Sequence, residues 1–313
     1  MTGSPAIRLR GIVRAFGAIR AVANLDLDVA RGELFALVGP DGAGKSTTLR
    51  ILTGLLRPDA GDGTILGHDI RREAAAVKRR IGYLSQAFTL YGDLSVDENL
   101  EFFAELHGVK NFHDRRKRLL EATHLAEFRD RLAGNLSGGM KKKLALASAL
   151  VHTPDLILLD EPTTGVDPVS RGEFWDLLSG ILEEGITVLL TTPYLDEAAR
   201  CHRIGLMHRG RVMLAGTPEE IVAAMPGRMH DIRCARPAEA AQELQTDYPP
   251  ARLVPRGEVL RLWSPDGSGE PDRMIRRLEA SGRGPAEARE SEASLEDAFV
   301  ALLTHAADIP GES

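Results

Sequence analysis

From Ile7 to Val29 apolar and polar residues alternate about a Phe16-Gly17 turn, the period-two pattern of antiparallel strands with one buried face. Leu34-Phe-Ala-Leu-Val38 breaks that alternation. Its continuous apolar run predicts a strand buried on both faces, as in a parallel sheet. From Lys45 the period lengthens, and Leu49, Leu52 and Leu56 at i, i+3 and i+7 predict a helix with one core-facing stripe. Residues 81–85 read as a short strand. Ser95-Val-Asp-Glu98 has capping-box spacing and starts a helix expected to turn Leu100, Phe103 and Leu106 inward. Residues from about 87 to 135 read as mainly helical, and the next helix marks its buried side with Leu144, Ala147 and Val151. Strands return at 156–160 and 186–192 with a helix around 173–183 between them. Such alternation predicts a parallel α/β core.

Near Met225-Pro-Gly227 the character changes. Short apolar runs at 229–234 and 259–263 are separated by Pro/Gly-rich stretches, with helical patterns at 237–245, 272–280 and 294–303. The expectation is two domains, 1–225 and 226–313, the second a small α+β domain with a frayed tail after Thr304.

The chain has 313 residues, of which 43% are hydrophobic and 27% charged, an ordinary globular balance. A formal net charge of −6 argues against a nucleic-acid partner, which favours a basic face. Cys201 and Cys234 are too few for a disulfide framework or a zinc site and read as reduced thiols. No apolar stretch approaches the roughly 18–20 residues that span a bilayer, and the N-terminal segment lacks the apolar core of a secretion signal.

Candidate chemistry begins at Gly39-Pro-Asp-Gly-Ala-Gly-Lys-Ser-Thr47, a fit to G-x-x-x-x-G-K-[ST]. Gly39, Gly42 and Gly44 let backbone N–H groups approach phosphate oxygens, with Pro40, Asp41, Ala43 and Thr47 completing the loop. Lys45 supplies a point charge to the phosphates and Ser46 a hydroxyl ligand to Mg²⁺. Asp160 ends an apolar strand, placed to hold Mg²⁺ through water. Glu161 beside it is placed to orient and deprotonate the attacking water. Leu136-Ser-Gly-Gly-Met140 opens a helix that Ser137 could cap; Lys141-Lys-Lys143 adds positive charge near that end, a solvated helix face being an equally good reading.

The phosphate loop, Leu136–Met140 and the run ending in Asp160-Glu-Pro162 together resemble the ATP-binding subunit of an ABC transporter, over roughly residues 6–222. The resemblance implies a P-loop ABC-type nucleotide-binding domain, with an antiparallel β subdomain and a helical subdomain at about 87–135. It places Phe16 against adenine, a buried core phenylalanine being the alternative, and makes Gln86 a contact of Mg²⁺ and the water. It also implies that Leu136, Ser137, Gly138, Gly139 and Met140 close on ATP held by a second ABC subunit, with Met140 replacing the usual glutamine. One copy of each motif makes this half of an ABC pair. Ala87–Tyr91, with Phe88, Leu90 and Tyr91, corresponds to the region that receives a separate membrane permease, which implies a peripheral place on the cytoplasmic face of the membrane. Tyr83-Leu-Ser-Gln86, Tyr194-Leu-Asp-Glu197 and Ser294-Leu-Glu-Asp-Ala-Phe299 look most like ABC-2-type, multidrug-exporter ATPases.

One position departs from the pattern. Where the family carries a histidine that contacts the γ-phosphate, this chain has Pro193, which has no side-chain donor and no backbone N–H. ATP binding is expected to persist while hydrolysis at the chain's own site is slow, favouring a heterodimer with a histidine-bearing partner. His202 and His208 lie too far along to fill the place, and Tyr194 offers a hydroxyl whose direction the sequence does not give. A non-hydrolytic regulatory subunit is the second reading, favoured by Pro193 and opposed by Glu161. A ribosome- or DNA-acting ABC ATPase ranks last, since it would carry two cassettes or long coiled-coil insertions.

Overall fold

The computed structural model describes residues 4–87, 90–265 and 269–307. The Phe16-Gly17 turn joins β1 (Ile7–Phe16) to β2 (Ile19–Val29), with Phe16 opposite Ile19 and Ile7 opposite Val29. Every residue of β3 (Leu34–Val38) is buried, and a glycine-rich loop leads from it to α1 (Lys45–Leu52). Leu49 and Leu52 are buried as expected. Leu56 packs against the same core from beyond the helix, which ends at Leu52. β4 (Ala60–Ile65) and β5 (His68–Asp69) return to the hairpin, giving an antiparallel sheet in the order β2-β1-β4-β5.

After α2 (Ala74–Lys78) comes β6 (Ile81–Leu84). The helical segment holds α3 (Val96–Leu106), α4 (His113–Ala122), 3₁₀ turns at Ala126–Phe128 and Ala133–Asn135, and α5 (Gly138–Leu150). The Ser95/Glu98 capping box forms on α3. Leu106, however, is exposed rather than inward. Val96, Leu100 and Ala104 form the buried face, and Leu106 lies about 200° around the helix from Ala104. α5 is buried on nearly all sides, so Lys142 and Lys143 do not lie on a solvated face.

β7 (Leu156–Asp160), α6 (Pro168–Glu183), β8 (Thr187–Thr192), α7 (Leu195–Ala198), β9 (Arg203–His208) and β10 (Arg211–Gly216) complete the first unit, residues 1–215. Its main sheet runs β10-β9-β3-β8-β7-β6, with β9, β3, β8, β7 and β6 mutually parallel. The loops that follow β3, β8, β7 and β6 therefore leave one edge of the sheet side by side, where open α/β sheets bind ligands.

The second unit, residues 216–313, contains α8 (Pro218–Ala223), β11 (Arg228–Arg233), α9 (Pro237–Leu244), β12 (Leu253–Arg256), β13 (Val259–Ser264), α10 (Glu270–Ala280), β14 (Glu287–Ser291) and α11 (Leu295–Ala307). The antiparallel sheet has the order β12-β13-β11-β14. Strand alternation divides its side chains: Ile232, Leu260 and Leu262 join Leu244, Met274 and Leu278, while Met229 and Trp263 join Ala301. Ser294 and Asp297 exchange hydrogen bonds at the start of α11, and Asp297 is also paired with Arg261. α11 continues to Ala307, with the Thr304 hydroxyl donating to Val300 O, so the chain is not frayed immediately after Thr304. Residues 308–313 lie outside the described residues.

Candidate functional site

The glycine-rich loop is shaped by close packing. A Cβ at Gly39 would lie 2.1 Å from Met207 O. One at Gly44, whose φ is +105°, would lie 2.2 Å from Ala21 O. Gly44 is the N-cap of α1 and supplies no side-chain cap, which leaves the first N–H groups of the helix for an anion. Lys45 is buried and its ammonium donates to Gly39 O at 2.7 Å and Pro40 O at 3.1 Å, closing the loop around a cation. Glu161 Oε1 lies 3.9 Å from the same nitrogen.

The two acids at the end of β7 are held by one hydroxyl. Thr191 Oγ1, from the neighbouring end of β8, donates to Asp160 Oδ1 at 2.7 Å and accepts from Glu161 N at 3.0 Å. Ser46 Oγ donates to the same Asp160 oxygen at 3.0 Å. Glu161 sits at φ +46°, a left-handed backbone that a non-glycine residue adopts rarely, and it turns the chain sharply after the strand. Its Oε2 accepts from Gln86 Nε2 at 3.0 Å and from Thr164 Oγ1 at 3.4 Å. Lys142 Nζ in turn donates to the backbone carbonyl of Gln86 at 3.2 Å. Burial pulls the Lys142 pKa down from the ordinary lysine range, and the charges of Asp160 and Glu161 oppose that pull.

A cavity of about 690 Å³ opens between the loop and these groups, lined by Asp41 to Thr47, Gln86, Glu161, Thr164, Pro193 and Tyr194, with Ile19 and Ala21 from the first hairpin. Its chemistry fits a nucleotide triphosphate and Mg²⁺: an anion cradle with a buried ammonium, beside a hard-oxygen set of Ser46, Gln86 and Asp160. Phe16 is not among the described lining residues. It is exposed, which excludes the core alternative, and the Arg14 guanidinium lies 4.8 Å over its ring. His202 and His208 also stand outside the lining, and His202 Nδ1 accepts from Leu34 N at 3.0 Å.

Leu136 to Met140 form a separate feature. Ser137 caps α5 by accepting from Met140 N at 3.2 Å, with Ser137 and Gly138 exposed and Leu136 buried. Gly139 is packed so tightly that a Cβ would lie 2.4 Å from Ser170 of α6. The lysines that follow are satisfied internally, Lys141 by Gly134 O and Lys143 by Glu173.

A second concavity of about 420 Å³ lies between β6, α3 and α5, lined by Leu55, Tyr83, Phe103, Leu106, His107 and His152 among others. Leu55, Leu106 and Tyr91 are exposed there or nearby, and Tyr91 packs edge-on against Phe102 at 4.6 Å. Phe88 lies outside the described residues.

Thr191, Thr164 and Lys142 escaped sequence reasoning. Their signal was faint: hydroxyls at the end of an apolar strand and in the turn after Glu161, and a lysine inside a basic run.

A family model described as ABC transporter matches residues 22–164. The chain is 37% identical over 320 residues to the daunorubicin/doxorubicin resistance ATP-binding protein DrrA of Streptomyces peucetius, covering 97% of this chain and 94% of DrrA. It is 41% identical over 223 residues to the probable multidrug ABC transporter ATP-binding protein YbhF of Escherichia coli (strain K12). That match covers 71% of this chain and 39% of YbhF, so the chain spans well under half of that relative's length. Among solved structures, the dimeric post-hydrolysis state of the ATP-binding cassette MJ0796 bound to ADP and Pi matches with a TM-score of 0.61 and 30% identity, over 67% of this chain and 98% of the cassette. With the phosphate cradle, the paired acids and the separate capped helix already in place, these matches show that the chain belongs to the family of ABC transporter ATP-binding proteins.

Proposed function

We propose that this chain binds and hydrolyses ATP to power an ABC-2-type exporter through a separate membrane permease. The observation that carries the reading is the convergence of Lys45, Ser46, Gln86 and Glu161 on one cavity at the edge of the parallel sheet, with Asp160 buried just behind Ser46 and bonded to it. The Lys45 ammonium and the loop N–H groups hold the phosphates. Glu161, oriented by Gln86 and Thr164, accepts the proton of the attacking water as its oxygen bonds to the γ-phosphorus and the bond to the β–γ bridging oxygen breaks. Bound Mg²⁺, held by Ser46, Asp160 and Gln86, would neutralise charge on the phosphates.

Residues 1–225 are the ATP-binding domain in this reading and 226–313 an accessory domain, while packing divides the chain earlier, at 215/216, and groups α8 with the second unit. Leu136 to Met140, with Ser137 and Gly138 exposed at a helix N-terminus, face ATP held by a second subunit. The dimeric MJ0796 cassette supports a paired arrangement. The groove carrying Leu55, Phe103 and Leu106 offers the apolar surface a permease segment needs, and the drug-resistance and multidrug names of DrrA and YbhF are in keeping with export. No helix among the described residues is long and apolar enough to cross a membrane, in keeping with a subunit peripheral to the cytoplasmic face.

Pro193 lines the cavity without a donor, so the chain's own site turns over slowly and a heterodimer with a histidine-bearing partner is the working unit. The test is MgATP hydrolysis by the purified chain beside Pro193→His and Glu161→Gln. The expected result is slow wild-type turnover, raised about 10²-fold by Pro193→His and abolished in both backgrounds by Glu161→Gln. Vigorous wild-type turnover would defeat the impaired-site reading. No turnover even with Pro193→His would favour a non-hydrolytic subunit.

A further inference from the structure

β8 lies between β3, which feeds the phosphate loop, and β7, which ends in Asp160. The residues that follow β8, Pro193 and Tyr194, therefore border the same cavity as Lys45 and Glu161. The first residues there have their hydroxyls committed: Thr191 to Asp160, and Thr192 to Glu197 at 2.6 Å while accepting from Tyr194 N at 3.0 Å. Pro193 has nothing to donate. Tyr194 is next. It lines the cavity, and its phenol O–H makes no hydrogen bond among the described residues.

The ring is held from behind. The Arg171 guanidinium lies 4.9 Å over it, with Nε 2.6 Å from Glu197 and Nη2 2.8 Å from Asp196. Glu197 is fully buried and also accepts from Thr163, two residues beyond Glu161. The turn from Thr192 to Glu197 is thus closed on itself and tied through Glu197 to the segment that carries the acids. Among the other side-chain donors, Gln86 and Thr164 serve Glu161, and Thr47 stands on the first turn of α1 rather than after β8.

We propose that the Tyr194 hydroxyl donates a hydrogen bond to the terminal phosphate in the chain's own site, with Arg171 as its positioning residue. No proton is transferred by it. The inference rests on the reading that this site hydrolyses MgATP, and it assigns the residual turnover to one group.

Tyr194→Phe keeps the ring over Arg171 and removes only the hydroxyl. In the full chain, kcat for MgATP is expected to fall about tenfold or more, with KM nearly unchanged. ATP affinity measured in the Glu161→Gln background should stay within about twofold, since the loop is untouched. Pro193→His/Tyr194→Phe should recover the rate of Pro193→His alone. A Tyr194→Phe rate within about twofold of wild type would overturn the proposal, as would wild-type turnover no higher than that of Glu161→Gln. Fast wild-type turnover that Tyr194→Phe destroys would instead sink the impaired-site reading and leave this assignment standing.

Discussion

Thr191 makes two hydrogen bonds with one hydroxyl, to the carboxylate of Asp160 and from the backbone of Glu161, and both lie out of water. Losing the hydroxyl removes a buried hydrogen bond to a charged group, although Ser46 still donates to Asp160 and Glu161 N still reaches Thr191 O at 3.2 Å. Thr191→Val should therefore destabilise the first unit by about 1.5–3 kcal/mol in urea unfolding, with Thr191→Ser nearly neutral. The Val variant should also lose turnover, because Glu161 takes its left-handed turn against the same hydroxyl. Metal removal is a separate matter at this scale. Ser46 and Asp160 present oxygen ligands 3.0 Å apart, so EDTA is expected to stop hydrolysis, and Mg²⁺ to restore it. Restoration by no divalent cation would contradict that role for the pair.

Among the elements, α5 is the most constrained. Gly139 faces Ser170 of α6 with no room for a Cβ, whereas Gly138 has only Gly165 O, at 4.0 Å. Gly139→Ala should cost about 1–3 kcal/mol by forcing the helices apart, and Gly138→Ala should stay within about 0.5 kcal/mol, as thermal unfolding of the two variants would show. At the far end of α5, His152 stacks on His107 at 3.9 Å and its Nε2–H donates to Ile81 O. Burial, then the neighbouring His107, pushes the His152 pKa down from 6.5 to about 4. The unfolded chain binds a proton there that the folded chain refuses, so stability is complete above about pH 6.5 and falls as pH drops toward 4. His152→Gln should flatten that part of the stability–pH profile; an unchanged slope would show that other groups set it.

At the scale of the whole molecule, two units each close a core of their own. One is built on Ile7, Phe35 and Leu189, the other on Ile232, Leu260 and Leu278. Calorimetry of the full chain should resolve two transitions, and residues 216–313 expressed alone should unfold cooperatively. A fragment without a transition would mean that the second unit does not fold by itself.

Much was legible in the residues because local physics fixes it. A five-residue apolar run ahead of a glycine-rich turn suits a strand buried on both faces, Ser95 and Glu98 at i and i+3 reciprocally satisfy backbone N–H groups, and a glycine-rich loop before Lys45 makes an anion cradle. What the sequence determined by itself was thus the strongly periodic elements around the site, the phosphate loop and the absence of any donor on Pro193, while β4, β5, β9 and β10 went unread. Leu106 was misplaced because its facing depends on which side of α3 the rest of the chain covers. Lys142 and Lys143 were misplaced because α5 is enclosed on nearly all sides. Only the tertiary structure decided that β8 runs between β3 and β7. That neighbourhood brings Thr191 to Asp160 and Tyr194 to the cavity, and the pairing of β6 with β7 brings Gln86 to Glu161, contacts spanning 31 residues for Thr191 and 75 for Gln86. Periodicity and capping act over a few residues, but parallel strand order is set by burial of the whole sheet, and no short window of sequence contains it.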